Sequence, residues 1–240
     1  MYQERSYRNR VRYPKLVSFS AMVEETDLHI QAQTNLEHKA IESILGHRQS
    51  IETCIERFPF FLTALEPVAI SGPLPAIVRK MIAAGTASGV GPMAAVAGAV
   101  AESVCRDLLS FSDQVIVENG GDIFMKVNTP VTMAIYAGSS PLNMKVGLKI
   151  SCIDQPVACC TSSGTIGHSL SMGKADAVTV IARSGALADA AATAIGNRVT
   201  YEKEIDAAID FGQSIQGVMG LCIIKGTSAG FWGDVEVVRL

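Results

Sequence analysis

From Met81 to Ala101 the chain carries no charged residue. A run of that length either crosses a bilayer or is buried as helix inside a protein. Its composition decides between the two. It contains Gly85, Gly89, Gly91, Pro92 and Gly98, and is rich in alanine rather than leucine. Glycine and alanine contribute little transfer energy, so the run reads as buried helix broken by glycine and proline. One helix is expected from near Pro75, carrying Ile77, Val78, Met81 and Ile82. Another is expected from about Met93 to Leu109, with Pro92 in its first turn. A core that buries such a pair needs abundant apolar residues, and 48% of the 240 residues are hydrophobic.

The remaining elements follow from periodicity and turn signals. Residues 16–23 and 28–32 alternate as two strands around the turn-like Glu24-Glu-Thr-Asp27, a hairpin. Asn35 is placed to cap a helix from about Leu36 that presents Ile41, Ile44, Leu45, Ile51 and Ile55 on one face and stops before Pro59. Runs at 114–117, 123–127, 131–136, 146–150, 157–160 and 178–182 read as strands. A helix at 186–198 and a shorter one from Glu204 follow, then strands at 218–224 and 235–238, with a glycine-marked turn between Gly226 and Gly230. Hairpin spacing implies an α+β domain with a mainly antiparallel sheet packed with helices. Both halves contain hairpins and helices, which hints at an internal duplication that no residue-level repeat supports.

Two hundred and forty residues suit one domain, 1–240, with residues 1–13 as a polar N-terminal tail. That tail holds Arg5, Arg8, Arg10 and Arg12, but the net charge is −3 and no basic stripe accompanies them. Nucleic acid is therefore not an expected partner. Charged residues make up 18% of the chain, below the usual quarter, so part of the surface is expected to be covered in a homo-oligomer. No apolar segment follows the polar start, and the six cysteines form no C-x-x-C pair. The expected setting is the cytoplasm, with buried free thiols.

Four segments carry candidate chemistry. Glu118-Asn-Gly-Gly-Asp122 is a hairpin turn signal, and its two glycines also admit close approach of a ligand to Asn119, Gly120, Gly121 and Asp122. Thr161-Ser-Ser-Gly-Thr-Ile-Gly-His-Ser169 offers hydroxyls and backbone N–H groups but lacks the lysine of a P-loop. Asp189 and Thr193 stand at i and i+4 among alanines. A Mg²⁺ ion would satisfy both, and so would a carboxylate at a helix dipole with a threonine bonded to its own helix. Gly89-Val-Gly-Pro-Met-Ala94 matches a dinucleotide fingerprint but follows a helix rather than a strand. It stays open only as an anion site at Gly91, Pro92 and Met93.

Taken in order, Gly91-Pro-Met-Ala-Ala-Val-Ala-Gly98, Glu118-Asn-Gly-Gly-Asp122, Thr161-Ser-Ser-Gly164 with His168, and Ala188-Asp-Ala-Ala-Ala-Thr193 resemble the ApbE-like superfamily of FAD:protein FMN transferases. The whole chain is similar to a shorter branch of it. The resemblance implies a T-fold-like α+β domain. It implies Mg²⁺ held by Asp189 and Thr193 with the Ala192 carbonyl. FAD or another nucleotide would be lined by Asn119 to Gly121 and by Thr161, Ser162, Ser163 and Gly164, with Asp122 and His168 managing protons. The chain departs from the transferases in two places. Met93-Ala-Ala-Val-Ala-Gly98 lacks their lysine, and only three residues separate Gly164 from His168. Two functions follow from the resemblance: a Mg²⁺-dependent flavin transferase, or a non-catalytic accessory protein of anaerobic sulfur and homocysteine assimilation.

Overall fold

The computed structural model describes residues 13, 15–164 and 172–240. Eleven strands and six α-helices are present among them. Eight strands form one antiparallel sheet in the order β1 (Val17–Val23), β2 (Thr26–Ala32), β3 (Val115–Asn119), β4 (Asp122–Lys126), β7 (Val157–Ser162), β8 (Ala177–Ala182), β9 (Val218–Lys225) and β10 (Ser228–Gly233). A smaller antiparallel sheet has the order β11 (Glu236–Arg239), β6 (Val146–Ile150) and β5 (Val131–Ala134).

The large sheet is the middle layer. Successive side chains of a strand point to opposite faces, and β8 shows both being used. Val178, Val180 and Ala182 join the helix-side core, whereas Ala177 and Ile181 join a second core beneath the small sheet. This is why Ala177–Ala182 is buried throughout and reads as a continuous apolar run.

The helix layer comprises α1 (Glu37–Arg57), α2 (Phe60–Thr63), α3 (Ala76–Ser88), α4 (Val96–Leu108), α5 (Gly185–Gly196) and α6 (Ile205–Ser214). The N-cap of α1 is Leu36, which has no side-chain cap, one position after the Asn35 expected there; Asn35 Oδ1 accepts the Glu37 N–H at 2.9 Å from just outside the helix. Leu45 is the exception on the expected apolar face of α1, being 52% exposed. The uncharged run is a bent pair: α3 and the segment Pro92–Leu108 meet at 106°, and no single helix among the described residues is long and apolar enough to cross a membrane. The bend has local causes. Gly89 ends α3 at φ +73°. Pro92 opens a 3₁₀ turn, Pro92–Ala95, so α4 itself begins at Val96 and not at Met93.

Two further expectations change. Residues 228–233 are strand β10 rather than turn; the turn is confined to Gly226, at φ +60°, and Thr227. Gly230 lies inside that strand because a Cβ there would come within 2.5 Å of Ile205 Cγ2, so its absence lets α6 sit on the sheet. Tyr13 is no free tail: its N–H donates to Gln31 Oε1 at 2.8 Å and its hydroxyl meets Thr129. All six cysteines are buried and free. Burial drives the thiol pKa of Cys159 and Cys222 up to about 12, so slow labelling by a thiol reagent below the unfolding transition is expected.

Candidate functional site

Gly98 and Gly185 set the geometry of the site. A Cβ on Gly98 would lie 2.2 Å from the Gly185 carbonyl oxygen, and one on Gly185 would lie 2.3 Å from that of Gly98. The backbones of α4 and α5 therefore touch where the helices cross, which glycine alone permits. One turn along each helix stands a carboxylate. Asp189 Oδ2 accepts the Gly98 N–H at 2.8 Å. Glu102 Oε2 accepts the Gly185 N–H at 2.8 Å and the Ser184 hydroxyl at 3.2 Å. Each helix thus caps first-turn N–H groups of the other that have no partner within their own helix. The sequence carries a signal of this crossing: Gly98-Ala-Val-Ala-Glu102 and Gly185-Ala-Leu-Ala-Asp189 are near copies. They fall on the last helix before β3 and the first after β8, where the two helices cross.

The two caps differ electrostatically. Glu102 is 2% exposed, and its Oε1 meets Lys80 Nζ at 2.8 Å and Arg106 Nε at 2.9 Å. Burial pushes its pKa up. Lys80, Arg106 and the Gly185 N–H outweigh that push, and the carboxyl rests below the ordinary glutamate value. Asp189 has no such cations. Burial, then the charge of Asp122, drives its pKa well above the ordinary aspartate value against the pull of the Gly98 and Ala97 N–H groups.

Asp122 reaches this point from the sheet. It follows the two-residue turn Gly120-Gly121, with Gly120 at φ +72°, and pairs across to Cys160 on β7. Gly121 faces Thr161, whose N–H donates to the Gly121 carbonyl at 3.0 Å. A Cβ on Gly121 would be 2.7 Å from the Thr161 oxygen. The Thr161 hydroxyl meets that of Thr179 at 2.9 Å, and Asn119 Nδ2 donates to the Ala97 carbonyl at 3.2 Å. Asn119 and Asp189 thus meet the start of α4, with Asp122 near Asp189 and Thr161 against the Gly120-Gly121 turn.

Other expected residues sit elsewhere. Gly91 is buried with its Cα against the Ala64 carbonyl: a Cβ there would be 1.7 Å from that oxygen. Pro92 is buried and Met93 half-buried against the helix-side core. Gly164 donates to Ala175 and packs on Gly173, which packs in turn on the Gly196 carbonyl, so Ser162, Ser163 and Gly164 lie toward the far end of α5. His168 lies outside the described residues. Two open cavities, one beneath the small sheet along Lys149, Met219 and Asp234 and one between helices at His47, Lys80 and Arg106, include none of these residues.

The Mg²⁺ assignment to Asp189, Thr193 and the Ala192 carbonyl is corrected. Among the described residues no three His, Cys, Asp or Glu side chains come together to hold a metal ion. Thr193 is half-buried one turn beyond Asp189 and Ala192 is buried, while the Asp189 carboxylate is engaged by α4. The i, i+4 spacing identified a shared helix face correctly; what occupies that face is another helix end.

The cap gives a prediction. Asp189→Ala leaves first-turn N–H groups of α4 without an acceptor and is expected to cost about 1–2 kcal/mol. Asp189→Asn keeps an acceptor. A carboxyl whose folded-state pKa is raised contributes stability that is full below its unfolded value and is lost as pH rises through the folded one. Asp189→Asn should therefore gain on the wild type as pH rises, read as the difference in Tm between the two proteins. A constant difference across pH would show that Asp189 is not the strained carboxyl described.

The arrangement of sheet and helices defines an ApbE-type fold. The structure of the Pseudomonas stutzeri flavinyl transferase ApbE in its apo form matches with a TM-score of 0.60 at 16% identity, covering 91% of this chain and 94% of that one. Flavin transferase ApbE from Vibrio cholerae matches with a TM-score of 0.56 at 14% identity, covering 93% and 96%. The chain belongs to the family described as AbpE bacteria, whose model matches residues 8–226. It is 43% identical over 207 residues to a UPF0280 protein of Methanocaldococcus jannaschii, with 84% of each chain covered. It is 39% identical over 201 residues to one of Methanococcus aeolicus, with 82% of this chain and 81% of the relative covered.

Proposed function

We propose that this chain is a cytoplasmic accessory protein of anaerobic sulfur and homocysteine assimilation, built on an ApbE-type scaffold and not transferring FMN. The observation that carries the non-transferring part is the engagement of Asp189 by the Gly98 N–H. That bond ties the Asp189 carboxyl to the start of α4 through Oδ2, and the described residues supply no cluster of three His, Cys, Asp or Glu side chains beside it to hold a metal. The absence of a lysine in Met93-Ala-Ala-Val-Ala-Gly98 points the same way, since a pyrophosphate under attack needs cationic compensation. The sulfur-pathway part rests on the resemblance to the shorter branch.

The test is direct. The purified chain is incubated with FAD and a cell extract as the source of acceptor proteins. Release of AMP and in-gel flavin fluorescence are then followed, with and without EDTA. Neither AMP nor a flavinylated band is expected. EDTA-sensitive AMP release with a matching flavinylated protein would establish a transferase and overturn the proposal. In parallel, a host strain lacking the chain is expected to need added homocysteine when inorganic sulfur is its sole source. Growth without that supplement would remove the pathway assignment while leaving the non-transferring reading intact.

A further inference from the structure

The middle of α1, the start of α3 and the last turns of α4 leave an open cavity of about 270 Å³ between them, with Ser50, Lys80 and Arg106 on its three walls. The two cations share one acceptor. Lys80 Nζ and Arg106 Nε both bond to Oε1 of Glu102. The other oxygen of Glu102 is spent on Gly185 and Ser184, and the carboxylate is buried and does not line the cavity. Each cation uses a single N–H on Glu102. The other donors of the Lys80 ammonium and the terminal Nη groups of the Arg106 guanidinium meet no acceptor among the described residues. Phe124 steadies Arg106 from below, its ring centroid 5.1 Å from the guanidinium carbon. The rim carboxylate, Asp107, is already bound by the Ser43 hydroxyl at 2.6 Å and by His47 Nε2 at 2.9 Å.

The start of α3 adds to the same field. It begins after Pro75 without a side-chain cap, and Pro75 and Ala76 line the cavity. First-turn N–H groups and the positive end of the helix dipole therefore lie beside the two cations. We propose that this cavity binds a small tetrahedral oxyanion, a phosphate or sulfate group, between Lys80, Arg106 and the start of α3. The free donors are an ammonium, a guanidinium and backbone N–H groups on two helices. A carboxylate is matched by the single plane of one arginine fork, whereas donors converging from several directions suit a tetrahedral group. The cavity volume lies at the lower end of the range for ligand sites, about 300–1,000 Å³. The oxyanion is accordingly free or carried on a small body.

Calorimetric and thermal-shift titrations of the full chain with sodium phosphate and with sodium sulfate test the proposal, with sodium chloride at equal ionic strength as the reference. Saturable binding of at least one tetrahedral anion is expected, and the tighter of the two identifies the group the site is built for. Arg106→Gln keeps a donor for Glu102 but loses the guanidinium charge, and is expected to raise that Kd about tenfold. Ser50→Glu sets a carboxylate on the α1 wall without touching the Glu102 contacts. It is expected to abolish binding while leaving the circular dichroism native. Neither heat nor a rise in Tm beyond that of chloride, for both anions, overturns the proposal. So does binding that both variants leave intact. Should Arg106→Gln fail to fold, Ser50→Glu decides alone.

Discussion

Gly98→Ala is expected to destabilise the protein by about 3 kcal/mol or more, near the top of what overpacking a core produces. The added methyl would sit 2.2 Å from the Gly185 oxygen and 2.8 Å from Asp189 Cβ. Neither neighbour is the free end of a flexible side chain, so α4 and α5 must separate. Separation breaks both reciprocal caps and loosens α5, which packs between α3, α4 and the strands β7 and β8. Gly46→Ala is the matched control. It lies in the exposed middle of α1 with nothing within 4 Å of a new Cβ, and alanine there should stabilise by up to about 1 kcal/mol through helix propensity. The two substitutions add the same atom to the same residue type and are expected to move the urea midpoint in opposite directions. A neutral Gly98→Ala would mean the helices do not cross at backbone contact.

Glu102→Ala carries the second large effect, about 3 kcal/mol. It leaves the Gly185 N–H without an acceptor, removes the counter-charge of Lys80 and Arg106, and opens a void in a site that is 2% exposed. Lys80 and Arg106 are 40% and 46% exposed and are free to turn to water, which keeps the loss from the extreme of a stranded buried charge. The pH dependence has a definite sign. The carboxyl of Glu102 is held below its ordinary value, so its contribution is present above the unfolded glutamate pKa and is lost as pH falls through the lower folded value. The stability gap between wild type and Glu102→Gln should therefore be widest near neutrality and close in acid, the reverse of the trend for Asp189→Asn. Unfolding in urea at a series of pH values reads both trends. A gap that widens in acid would rule out an ionised Glu102 in the folded protein.

Local pattern made much of the architecture legible. The β1–β2 hairpin, the Gly-Gly turn between β3 and β4 and the broken pair α3–α4 each depend on residues within a few positions of one another. Strand β10 was missed because Gly226 and Gly230 look alike in sequence. The first makes the turn with positive φ, while the second makes room for α6 across the sheet. Nothing local separates those uses of glycine.

The site divides in the same way. The sequence by itself determined that Gly120-Gly121 turns the chain between Asn119 and Asp122, and that Asp189 projects from an alanine-rich helix. Whether that carboxylate meets a metal, a ligand or another helix was decided by a contact 91 residues away in the chain. The spacing of i and i+4 says which side of a helix a group occupies. What stands opposite depends on how two glycines let α4 and α5 approach, and that is a property of the packed tertiary structure.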